Sequence, residues 1–127
     1  MVDVDEMEQQ HRKLIGLLNR LKDAVNNHES RKDIYRIIDD VISFTGSHFA
    51  NEEQLMVKSG FPEIDLHKNH HVHLMKEAHR LKEKYDYAGE EMFVEWFNHW
   101  YYTNVLAHIQ YADKAVEDHI IQGSAKG

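Results

Sequence analysis

Apolar residues recur along this chain at three- and four-residue intervals, the spacing that lines one face of an α-helix. The first stretch runs through Met7, Leu14, Ile15, Leu18, Leu21 and Val25, the second through Ile34, Ile37, Val41, Phe44 and Leu55. A third carries Leu74, Ala78, Leu81 and Tyr85, and a fourth Val94, Phe97, Tyr101, Val105, Ala112 and Ala115. Helix-breaking residues gather between them, at Asn26-Asn27-His28-Glu29-Ser30, Ser59-Gly60-Phe61-Pro62 and Ala88-Gly89. Ser30 with Asp33 makes a capping pair for the second helix, and Pro62 or Asp65 can open the third. The pattern predicts an all-α fold of four long helices joined by short turns, an up-down-up-down four-helix bundle. The expected domain covers residues 1–122, and Gly123-Ser124-Ala125-Lys126-Gly127 reads as a flexible tail.

Composition narrows the chemistry. A chain of 127 residues makes one domain. Its lack of cysteine excludes disulfides, thiolate zinc sites and iron–sulfur clusters. No apolar run approaches the roughly 18 residues of a membrane span, and no secretory leader opens the chain, so a cytoplasmic protein without a membrane partner is expected. A formal charge of −7 argues against nucleic acid. The remaining oddity is eleven histidines, and their positions carry the argument.

Each histidine can be placed against its helix's apolar stripe by advancing about 100° per residue. His11 lies on the line of Met7, Ile15 and Leu18; His48 and Glu52 continue the line from Ile34 through Val41 and Phe44. His67 and His71 fall on the stripe of Leu74 and Ala78, and His108 extends that of Phe97 and Tyr101. His70 sits at an edge and His73 points away, while His28, His79 and His99 are expected in solvent and His119 is read as incidental. Heights agree as well. The midpoint of His11 and His48 falls between Glu29 and Ser30, that of Glu52 and His67 between Ser59 and Gly60, and that of His71 and His108 between Gly89 and Glu90. The ligand-like residues and the breakers therefore predict the same turns.

A lone inward histidine is more often a hydrogen-bonded core residue than a ligand. Five at one level beside a buried glutamate are different, because burying that many polar groups uncompensated costs several kcal/mol. The candidate ligands are His11, His48, Glu52, His67, His71, His108 and Asp113. Asp113, five residues past His108, lies about 140° off its face in a regular α-helix, so only a π-type distortion brings it inward. Five imidazoles and two carboxylates exceed the needs of one tetrahedral zinc and suit a pair of irons. With bridging carboxylates and one oxygen bridge, two six-coordinate irons keep one position for a small diatomic ligand.

These residues resemble the hemerythrin pattern of a lone His followed by HxxxE, HxxxH and HxxxxD. Here the pattern reads His11 in EQQHRKLI, His48 and Glu52 in HFANE, His67 and His71 in HKNHH, and His108 and Asp113 in HIQYAD. The segment from Met56 to Pro62 is similar to that of the family's bacterial members, and the likeness spans residues 3 to about 118. The resemblance implies two iron ions bridged by an oxo or hydroxo group and two carboxylates, with O2 bound reversibly and end-on at one open iron position. It implies His67, His71 and His108 on the saturated iron, His11 and His48 on the O2-binding one, and Glu52 and Asp113 as bridges. Ile15, Met56, Asn104 and Val105 are expected around the ligand. Asn104 stands where bacterial relatives often carry an aromatic residue, so water entry and faster autoxidation are expected. Oxygen storage, delivery or sensing follows, with NO or azide as further ligands. The alternatives are an oxygen- or redox-sensing module of a larger signalling protein with an attached or separate partner, or a di-iron oxidase or peroxide or NO scavenger.

Overall fold

The computed structural model describes residues 4–126. Helix α1 spans Val4–Asn26, α2 Arg31–Ser59, α3 Ile64–His79 and α4 Leu81–Trp100. Two π-helical segments follow, π1 over Tyr101–Leu106 and π2 over His108–Asp113, and α5 closes the chain over Lys114–Lys126. The described residues contain no strand, and no helix is long and apolar enough to cross a membrane.

The turns form where the breakers stand. Ser30 caps α2 with its hydroxyl, which accepts the Asp33 amide at 3.1 Å. Gly60 ends α2 in the left-handed region, at φ 66°, so that Phe61 N–H reaches the Met56 carbonyl at 3.0 Å. Arg80 interrupts the third rod without reversing it. Lys82 pairs with Asp39 at 2.6 Å, and Asp86 receives Arg31 at 2.5 Å and the Tyr35 hydroxyl. Residues 81–88 therefore continue antiparallel to α2. Reversal comes at Gly89, φ 80° and ψ 166°, beyond which Phe93 packs edge-on to Tyr85 at 5.5 Å. That backbone region is nearly exclusive to glycine. A Cβ at position 89 would meet nothing within 4 Å, so the penalty is purely one of backbone conformation. Gly89→Ala is expected to destabilise the chain by about 1–3 kcal/mol in denaturant melts; an unchanged midpoint would contradict the turn.

The four rods are thus residues 4–26, 31–59, 64–88 and 90–126. Their inward faces form one large apolar cluster, including Leu14, Leu18, Leu21, Ile34, Ile38, Val41, Phe93, Phe97 and Tyr101. A smaller cluster of Met56, Phe61 and Val116 lies nearer the other end. Departures from the expected stripe are of two kinds. Phe44, Leu55 and Val94 are only half-buried beside enclosed Thr45, Met56 and Phe93, and Ala115 is exposed while Val116 is buried. The second shift is what a π-segment produces: its i→i+5 hydrogen bonds accommodate an extra residue and move every later inward position along by one. The side chain of Ala112 lies outside the described residues. The tail expected at 123–127 is helical through Lys126, since no glycine there takes the left-handed conformation that ends a helix; Gly127 lies outside the described residues.

Candidate metal centre

Between the two apolar clusters lies a polar layer. His11, His48, Glu52, His67, His71, His108 and Asp113 are each no more than 8% exposed, an enclosure rare for such side chains. Four-residue spacing puts His48 beside Glu52 on one face of α2 and His67 beside His71 on one face of α3. The five-residue step from His108 to Asp113 is spanned by π2, whose i→i+5 bonding stacks the last residue over the first.

The seven side chains divide into two overlapping groups. Ligand atoms of Glu52, His67, His71, His108 and Asp113 lie within 4.8 Å of one another, as do those of His11, His48, Glu52 and Asp113. Every imidazole points Nε2 inward. Glu52 Oε1 receives His67 Nε2 in a short contact and His71 Nε2 at 3.1 Å. Asp113 Oδ1 lies 2.9 Å from both His67 Nε2 and His108 Nε2. The other oxygens turn the opposite way. Asp113 Oδ2 is 2.9 Å from His11 Nε2 and 3.8 Å from His48 Nε2, and Glu52 Oε2 is 3.7 and 3.8 Å from the same two nitrogens. Each carboxylate thus turns one oxygen to the group of three histidines, touching two of them, and the other oxygen to the pair.

Protein hydrogen bonds do not satisfy this layer. His11 Nε2, His48 Nε2, His108 Nε2 and Asp113 Oδ2 are buried without an aligned partner. Native interiors rarely leave such atoms unpaired, and nitrogen and carboxylate donors converging from four rods fit cations better than they fit one another. Burial alone would lower the His11 and His67 pKa, but the adjacent carboxylates of Asp113 and Glu52 outweigh it and raise each to about 9. Burial likewise pushes Glu52 and Asp113 up, while the surrounding imidazoles hold both down, Asp113 well below its usual value. Burial lowers His71.

The metal-free centre therefore keeps protons where cations would sit. Those imidazolium–carboxylate contacts stabilise the metal-free fold fully below pH 6.5 and are lost as the pH rises through about 9. A metal needs the neutral ring, so loading at pH 7 is expected to release about two ring protons per chain, a contribution lost well above pH 9. A metal titration in weak buffer with a pH indicator checks this, and loading without proton release would contradict it.

Ile15 and Val105 join the large cluster and Met56 the small one. Asn104 lies in π1, and its amide donates to Glu77 Oε2 at 3.3 Å. It lines a cavity of about 340 Å³ with His70, His73, Leu74, Thr103, Ala107 and His108, on the three-histidine side. His119 Nε2 donates to the Ser59 carbonyl at 2.9 Å, and His79 and His99 are exposed. Exposed His28 pairs with Glu90 at 2.6 Å.

Three contacts went unforeseen. Gln10 Oε1 accepts from His48 Nδ1 at 2.9 Å, and Phe49 stacks on the His71 ring at 3.8 Å. Glu117 lies near His11; its place four residues after Asp113 was the available signal.

A helical bundle with a buried, carboxylate-centred double donor site defines a class of metal-binding bundle proteins. The family model of the hemerythrin HHE cation binding domain matches residues 2–120, and the chain belongs to the hemerythrin family. It is 33% identical over 125 residues to a bacteriohemerythrin of Stenotrophomonas maltophilia, covering 95% of this chain and 80% of that one. A bacteriohemerythrin of Pseudomonas aeruginosa is 28% identical over 89 residues, covering 70% of this chain and 57% of its own. One from Methylococcus capsulatus is 30% identical over 83 residues, covering 65% and 62%. The matches thus span less than two thirds of the last two relatives. No solved structure matches the chain significantly.

Proposed function

We propose that this chain is a non-haem di-iron protein that binds O2 reversibly at one iron. His67, His71 and His108 would hold one iron, His11 and His48 the other, with Glu52 and Asp113 bridging the pair. The observation that carries this reading is the three-to-two division of imidazoles about two carboxylates, each turning one oxygen to either side. Imidazole with carboxylate suits iron, and bridging carboxylates are the habit of di-iron bundles. With an oxo or hydroxo bridge, this donor set falls one short of what two six-coordinate irons take. The shortfall lies on the two-histidine side. A pair of ferrous ions, once bound, would supply a position for O2 there, or for NO or azide, and the electrons that hold O2 reversibly.

The chain's own residues supply position and dryness. His11 and His48 come from different helices, and Gln10 fixes the ring of His48. Phe49 covers His71, and the apolar clusters above and below limit water.

Reduced, iron-loaded protein should take up one O2 per two irons with a visible absorption band that vanishes under argon and returns on re-exposure. A single irreversible oxidation, with no recovery on purging, would contradict the proposal.

A further inference from the structure

The histidines that aim Nε2 at the centre turn Nδ1 outward, and two of these outward nitrogens face carboxylates from different helices. Glu117 Oε1, on α5, lies 3.9 Å from His11 Nδ1. Glu53 Oε1, on α2, lies 3.7 Å from His71 Nδ1. Both separations exceed a hydrogen bond but fall within ion-pair range. Each pair also contains an unsatisfied atom, since Glu117 Oε1 and His71 Nδ1 are buried without a hydrogen-bond partner. Neither acid is a free surface charge: the Glu117 side chain is 17% exposed and that of Glu53 31%. His48 differs, because its Nδ1 meets the neutral amide of Gln10.

A histidine that ligates through Nε2 carries its proton on Nδ1. An anionic acceptor there fixes the ring and makes it a stronger donor to the cation. We propose that Glu117 and Glu53 are positioning residues that address the two metal positions separately, Glu117 through His11 and Glu53 through His71. The assignment rests on the di-iron reading above. Because the acids belong to different helices and different ligands, each metal position is tuned on its own. The charge of Glu117 favours the higher oxidation state at the two-histidine position, where the small ligand would bind.

Cobalt(II), which is stable in air and spectroscopically visible, separates the possibilities. The metal-free full chain is titrated and followed by calorimetry and visible absorption, and the wild type takes up two ions. Glu117→Gln keeps the shape and removes the charge; it is expected to weaken one of the two ions about 10–100-fold and leave the other unchanged. In the paramagnetic proton spectrum the exchangeable Nδ1–H signal of His11 moves while that of His71 stays. Glu53→Gln should do the reverse, weakening the other ion and moving the His71 signal. Melting curves of the metal-free variants should match the wild type, which distinguishes tuning from a folding defect. Binding of both ions at wild-type strength in both variants would overturn the assignment, as would equal weakening of both ions by each variant. A wild-type chain that takes up fewer than two cobalt ions would overturn the di-iron reading itself, and this assignment with it.

Discussion

Replacing Glu52 with alanine is expected to strip both metals from the protein, an effect no single histidine substitution should match. Glu52 Oε1 faces His67 and His71, and Oε2 faces His11 and His48, so one side chain serves both donor groups. Breaking a buried charge pair by removing one partner costs about 3–5 kcal/mol, which at each position is a loss of affinity on the order of a hundred- to several thousandfold. His48→Ala removes a donor from the two-histidine group alone and should leave the three-histidine position occupied. The comparison is read as iron per chain after gel filtration in the presence of a mild chelator. Far-UV circular dichroism should show both variants still helical, because the large apolar cluster does not involve either residue. A Glu52→Ala chain that kept both irons would contradict the shared role of this carboxylate.

The second large effect concerns the metal-free protein, which should be markedly less stable than the loaded one. Five imidazoles and two carboxylates are buried together there, and His48 Nε2 has no partner closer than 3.8 Å. An unsatisfied buried polar atom costs about 1–3 kcal/mol, which for a domain of this size is at least a few degrees in thermal midpoint. Metal binding satisfies these groups in the folded state alone, which makes the binding energy a folding energy. Calorimetric scans of iron-loaded and chelator-stripped protein at pH 7 measure the difference, and coincident midpoints would contradict it.

Much of this structure was legible in the order of residues. The breakers at Ser30, Gly60 and Gly89 mark where the rods reverse, and the inward histidines agree with those reversals in phase and height. Even the distortion of the fourth rod had a sign in the sequence. A five-residue step from His108 to Asp113 reaches one face only through a π-type turn, and that segment is π-helical. What stayed hidden depends on neighbours rather than on local pattern. Nothing in Tyr101 to Leu106 announces a second π-segment, and the five-residue step across His108–Asp113 also carries Val116 inward in place of Ala115. Asn104 was expected near the ligand by resemblance alone, and its contact with Glu77 across the bundle had no sign in the sequence. The break at Arg80 has no proline or glycine to mark it. Gln10 and Phe49 act on His48 and His71 through contacts that spacing within one helix does not reveal.

The central claim is that one buried layer holds two irons, and counting them tests it most directly. The chain should be reconstituted anaerobically with excess ferrous iron, desalted, and assayed for iron against protein by mass spectrometry or colorimetry. Two irons per chain, falling to one in His48→Ala and to none in Glu52→Ala, is the result predicted by the shared carboxylates and the divided histidines. One iron per chain or fewer in the fully reconstituted wild type would contradict the account.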